Sequence, residues 1–300
     1  MKIGLPQGLL YHRYQVLWQV FLQELGFETI SSPPTNPAIL ARGMADAISE
    51  CCLPAKICLG HLQSLLGNCD YILLPRFDNT GPDREFCERC RGIYDVVRHT
   101  YREAPLVDYN LQAKGGLGEK QAFLDLAGTL GQSHWAGRKA YKAARAAQKD
   151  FTEQKIRDQE QLWQESGLKI LVAGQPYLCH DPYITGPIRR LVEEEGGRIL
   201  YSDYFPLDIC RQASQELSPR LYWILNQEIL GAILLNRRNL SGAILLTAYP
   251  CSANALANEM VLRKIKDLPM IHLVLDGLEG EAGLETRIES FMDLLLGSRE

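Results

Sequence analysis

The stretch GRKAYKAARAAQKDFTEQKIRDQEQLWQESG, residues 137–167, decides how the rest of the chain is read. It holds no proline and is rich in Ala, Lys, Gln and Glu, the residues that lose least on entering a helix. The composition predicts one long helix joining two halves, 1–136 and 168–300. Arg138, Lys139, Lys142, Arg145 and Lys149 near its start read as a solvated face.

On both sides of that helix, short apolar runs alternate with helical patterns, the signature of βαβ units. In the first half, strands are expected at Lys2–Leu5, 27–31, 71–75 and within 104–109, with helices over 14–25 and 55–66. In the second half, strands are expected at 169–173, 198–201, 243–248 and 270–275, and helices over 186–195, 222–234, 253–266 and 284–295. The fold class is therefore α/β, as two open, mainly parallel-sheet, Rossmann-like domains joined by a long helix.

Charge narrows the function classes. Lys and Arg number 32 against 36 Asp and Glu, so the surface offers no general field for nucleic acid or an anionic membrane. The apolar run near the start is broken by Pro6, Gln7 and Gly8 and then meets His12 and Arg13, which predicts no signal peptide and a cytoplasmic protein. The uncharged run 239–258 carries Ser241, Pro250, Ser252 and Asn254, and reads as a strand, a turn and a helix start rather than a membrane span.

Nine cysteines, an odd number, read in a reducing compartment as packed thiols or metal ligands rather than disulfides. Position sorts them, because open parallel sheets bind ligands beyond the carboxyl ends of their strands. Cys251 follows the 243–248 strand directly and precedes a helix, where backbone N–H groups favour a thiolate. Cys52 stands two residues before Pro54, at a predicted helix start, and Cys87 opens the helical segment that also holds Cys90. The pair in FCERCRG is by itself half a zinc site, one turn of packing, or a redox pair. A zinc ribbon would need a second such pair, whereas iron–sulfur ligands need not be local, so Cys52, Cys87 and Cys251 suit a cluster best. Cys58, Cys69, Cys179 and Cys210 read as packing, with Cys179 in a loop, and Cys51 is held in reserve.

His61 is either a packing histidine or a hydrogen-bond donor to a cluster, and Lys56 either a solvated lysine or a counter-charge. His180 and Asp181, adjacent in sequence, read as a loop turn rather than an acid–base pair. Neither a G-x-S-x-G elbow, a G-x-G-x-x-G turn nor a G-x-x-x-x-G-K-[ST] loop is present, which leaves hydrolase, NAD and ATPase chemistry without support.

The segments CLPAKICLGH, CERCRGIYD, QPYLCHDPYI, LYWILNQEILGA, LLTAYPCSANALANE and DGLEGEAGLETRIESF, in that order, resemble the activase-related domain linked to 2-hydroxyacyl-CoA dehydratases and benzoyl-CoA reductases. The resemblance implies a 4Fe-4S cluster on Cys52, Cys87 and Cys251 with one iron left open, and low-potential single-electron transfer in anaerobic metabolism. It further implies a separate ATP-dependent activator as electron donor, an acyl-CoA or other small-molecule substrate, and a homodimer or a homologous second subunit. Two alternatives stay beside it: a non-catalytic cluster carrier or relay, and a double-cubane reductase drawing on Cys51, Cys58 and Cys90. The sequence departs from the family pattern where Asp276 is followed by Gly277 and Leu278 rather than Glu and His, and where Leu59 replaces a histidine.

Overall fold

A computed structural model describes residues 1–277 and 281–297, so Leu278 lies outside the described residues. The chain divides into two compact units, Met1–Thr152 and Glu153–Glu300, with the boundary inside the long helix.

The first unit runs β1 (Lys2–Leu5), α1 (Tyr11–Glu24), β2 (Glu28–Ser31), α2 (Pro37–Asp46), α3 (Leu53–Leu65), β3 (Tyr71–Leu73), β4 (Arg76–Asn79), α4 (Glu88–Thr100), β5 (Leu106–Val107), β6 (Asn110–Gln112) and α5 (Glu119–Thr129), then enters α6 (His134–Gln164). Its main sheet has the order β2-β1-β3-β5, all parallel. The expected strands at 71–75 and 104–109 are longer than the sequence suggested. Each is interrupted once and resumes as β4 and β6, which pair in parallel in a sheet of their own. Pro75, which has no N–H, stands at the break on one strand, while Leu74 and Arg76 on either side still donate to Val107 and Tyr109 at 2.9 Å.

The second unit continues with β7 (Leu168–Ala173), α7 (Pro176–Cys179), α8 (Pro182–Glu194), β8 (Gly197–Tyr201), α9 (Leu207–Leu217), α10 (Ile224–Asn236), β9 (Gly242–Ala248), α11 (Ser252–Lys264), β10 (Met270–Leu275) and α12 (Glu281–Gly297). Its sheet has the order β10-β9-β7-β8, again all parallel. Every residue of β7 and β9 is buried, as central parallel strands covered on both faces must be. Cys179, expected in a loop, instead ends α7, a single turn opened by Pro176.

Numbering the strands of each main sheet in chain order gives 2-1-3-4 in both units. The correspondence extends to the connections: each unit places two successive helices between its second and third strands, α2 and α3 in one, α9 and α10 in the other. Both helix pairs cross at a glycine. A Cβ on Gly43 would lie 1.7 Å from the Lys56 carbonyl oxygen, and one on Gly231 would lie 1.8 Å from that of Cys210. Backbones this close leave no room for any side chain.

A buried glutamine fastens each half of α6 to its own unit. Gln148 accepts from the Leu17 N–H at 3.0 Å and donates to the Arg13 carbonyl at 3.0 Å. Gln159 accepts from the Tyr201 N–H at 2.6 Å and donates to the Tyr204 carbonyl at 3.1 Å. The basic residues near the start of α6 are exposed, as a solvated face requires. No helix among the described residues is long and apolar enough to cross a membrane.

Candidate functional site

Cys52, Cys87 and Cys251 share one structural address. Each is the N-cap residue of a helix, α3, α4 and α11 respectively, with extended backbone at φ −70°, −70° and −78°. All three helices run back to the amino end of the next strand, so their N-caps lie on the carboxyl side of their sheets, where a doubly wound fold places its ligands. At a helix start the first-turn N–H groups lack carbonyl partners, and the helix dipole favours negative charge.

Within the first unit the thiols gather. Cys51 and Cys58 are buried in an apolar cluster with Leu59, Leu62, Ile72, Leu74, Ile93 and Val97, and Cys52 packs against its edge. The sulfur of Cys87 lies 3.6 Å from that of Cys90. The hydrogen bond between the two sulfurs, together with first-turn N–H groups, holds the Cys87 thiol below its ordinary value. Cys90 itself is driven well above the ordinary range by that hydrogen bond and by burial. Burial raises Cys52 to about 11, and charge on Cys51 or Cys87 would push it further up. Cys58, enclosed completely, rises to about 12. Cys52 and Cys87 thus stand close enough to sense one another's charge, Cys87 being shifted down and Cys52 up.

Among the described residues, no three His, Cys, Asp or Glu side chains converge as a metal-holding group. The first unit brings Cys52 and Cys87 together; Cys251 belongs to the second.

Cys251 closes the turn after β9, with its N–H on the Ala248 carbonyl at 2.7 Å. An amide network lies behind it. Asn226 of α10 donates to the Ala253 carbonyl at 3.1 Å, Asn254 to that of Leu246 at 2.6 Å, and Asn258 to the Thr247 hydroxyl at 2.8 Å. Thr247 also meets His272 Nε2 at 2.8 Å. The side-chain oxygens of Asn254 and Asn258 are buried without a hydrogen-bond partner.

His61 is wholly enclosed in α3, with Nδ1 2.9 Å from Ser32 Oγ and Nε2 2.9 Å from Thr35 Oγ1. Burial lowers it to about 4, so it is neutral and both ring nitrogens are engaged, as its packing reading requires. Lys56 is partly buried on the same helix. Cys179 and Cys210 are fully buried, and Cys69 donates to the Leu65 carbonyl at 3.4 Å, all in keeping with packing.

Sequence reasoning missed one acid–base pair. Asp181 is not the partner of His180: it caps α8, accepting from the Tyr183 N–H at 2.9 Å. The carboxylate on His180 is Asp203, 2.8 Å from Nε2, with the imidazole stacked on Tyr204 and edge-on to Tyr201. His180 and Asp181 are not an acid–base pair, as the sequence reading has it; the turns after β7 and β8 instead bring residues 23 apart together. A second unforeseen feature is a cleft of ≈ 410 Å³ beside α4, lined by Arg76, Asp78, Glu88, Arg91 and Asp95 among others.

Residues 2–205 match the family described as CoA enzyme activase uncharacterised domain. The chain belongs to that family. The match contains Cys52 and Cys87 and ends before Cys251. It agrees with the activase-related resemblance of the quoted segments. No curated protein matches the chain. Among solved structures, the SBP FpvC from Pseudomonas aeruginosa in complex with Mn2+ aligns over 99% of each chain, at 11% identity and a TM-score of 0.28, a likeness that carries no argument.

Proposed function

We propose that this activase-related chain is an iron–sulfur protein of the 2-hydroxyacyl-CoA dehydratase type, with Cys52, Cys87 and Cys251 as the thiolates that hold a four-iron four-sulfur cluster. The observation that carries the reading is the shared address of those three thiols, each at a helix N-cap on the carboxyl side of a parallel sheet. When bound, such a cluster supplies one-electron reduction at low potential and, on three protein thiolates, leaves one iron open to a substrate atom. The chain's own residues supply the rest. First-turn N–H groups of α4 favour the thiolate at Cys87, and those of α3 oppose the burial that raises Cys52. The leucine and isoleucine side chains around Cys51 and Cys58 keep water from the sulfur-rich end of the first unit. Lys56, one turn after Cys52, would offset the cluster's negative charge.

Lacking a nucleotide-phosphate loop, the chain would receive its electron from a separate ATP-dependent activator and pass it to an acyl-CoA or another small molecule. A second copy or a homologous subunit completes the assembly in this reading. The burial of Cys51 and Cys58 among leucines favours packing for both, and so a single cubane over a double one.

The reading is tested by reducing the anaerobically purified chain with a low-potential reductant and recording its electron paramagnetic resonance spectrum. A signal integrating to about one spin per four irons is expected. A chain that carries iron but takes up no electron under these conditions would overturn the electron-transfer role.

A further inference from the structure

We propose that Cys87 and Cys90 form a redox-active dithiol, which closes to an intramolecular disulfide by exchange with a low-molecular-weight disulfide. The two sulfurs lie 3.6 Å apart across the first turn of α4. A disulfide is about 2.05 Å long, so closure needs a movement of roughly 1.5 Å, within reach of a side-chain rotation. The two thiols differ in access: Cys87 is partly exposed at the N-cap, whereas Cys90 is buried at 1% exposure. That asymmetry assigns the roles of attacking and resolving thiol.

The exchange balances in two steps. The Cys87 thiolate attacks one sulfur of the small disulfide, forming a mixed disulfide and releasing one small thiolate, which takes up the proton that Cys87 gave up. Cys90, losing its proton, then attacks the Cys87 sulfur and displaces the second small thiolate, which is protonated in turn. The protein dithiol is oxidised by two electrons and the small disulfide is reduced to two thiols.

The second unit supplies an internal control. Cys251 occupies in α11 the place that Cys87 holds in α4, and three residues further on stands Asn254 in place of Cys90. This cap has a thiol to form a mixed disulfide, and the residue three positions on carries an amide that cannot resolve one. The proposal also bears on the cluster reading, and only in this consequence rests on it: with the pair closed, Cys87 has no thiolate to offer iron.

The test uses the full chain, freed of iron by chelation, fully reduced under anaerobic conditions and equilibrated with mixtures of oxidised and reduced glutathione. Acid quenching, alkylation and peptide mass spectrometry then locate every sulfur. Cys87 and Cys90 are expected to lose two hydrogens as an internal disulfide, with no glutathione retained on either. Cys90→Ser should trap one glutathione on Cys87, while Cys87→Ser should leave Cys90 a free thiol. A parent chain that keeps a stable glutathione adduct on Cys87 beside a free Cys90 would overturn the proposal, as would a disulfide mapping to other residues. The parent map decides even if a serine variant fails to fold. Failure of the cluster reading shows up separately, as a parent that binds no iron while its disulfide map is unchanged.

Discussion

The two units build the same sheet order and then furnish it differently. Cys87 and Cys251 sit at equivalent helix starts, yet behind Cys87 lies a second thiol and an apolar pocket of sulfur, and behind Cys251 lies a lattice of asparagine amides. The third address diverges as well, since the N-cap of α10, equivalent to that of Cys52, is Trp223. Topology therefore fixes where a ligand-binding side chain can stand, and the neighbours on the next helix decide what it can do. In the first unit those neighbours tune thiol acidity; in the second they hold a turn in place.

The helix crossings are the likeness most easily broken. Gly231→Ala drives a methyl group into the Cys210 carbonyl, and Gly43→Ala does the same to Lys56. Each should cost about 3 kcal/mol or more, the upper range for overpacking. Hydrogen exchange should then rise in α9 and α10 for the first variant and in α2 and α3 for the second. Equal loosening of both helix pairs by either change would contradict the unit-by-unit account.

The first unit also responds to pH. Folded His61 binds its proton only near pH 4, whereas the unfolded chain binds it near 6.5, so its share of stability is complete above 6.5 and is lost as pH falls towards 4. The loss amounts to about 3 kcal/mol, from roughly 1.36 kcal/mol per pH unit. The gap in urea stability between the parent and His61→Gln should change by about that amount between pH 7 and 4. A gap constant with pH would show that the histidine is not held neutral.

A smaller effect is expected at Arg76, which pairs with Asp95 at 2.7 Å and Asp108 at 2.8 Å and lies over the Tyr94 ring. The group is partly exposed, so Arg76→Met should lower stability by about 1 kcal/mol, and high salt should shrink the difference from the parent. A loss unaffected by salt would assign the effect to packing.

Much of this arrangement was written in local sequence. Alternating apolar runs announced the strands, and helix starts were marked by residues such as Pro54, which is why three N-cap thiols stood out before any coordinates. The α2 helix was missed although Asn36 and Pro37 spell a start, its Oδ1 accepting from Ala38 and Ile39. The resumption of β3 as β4 was hidden by Pro75, which reads as an end when it is an interruption. What no local pattern could reveal was long-range: the gathering of Cys52, Cys87 and Cys90 depends on α3 packing beside α4, and His180 finds Asp203 only once β7 and β8 pair.

The proposed function names Cys52, Cys87 and Cys251 as cluster ligands, and its most direct test is iron and acid-labile sulfide per chain after anaerobic purification. The account predicts about four of each in the parent, with most of both lost in each of Cys52→Ser, Cys87→Ser and Cys251→Ser and none lost in Cys58→Ser. A parent free of iron even after reconstitution, or iron indifferent to all three substitutions, would contradict it.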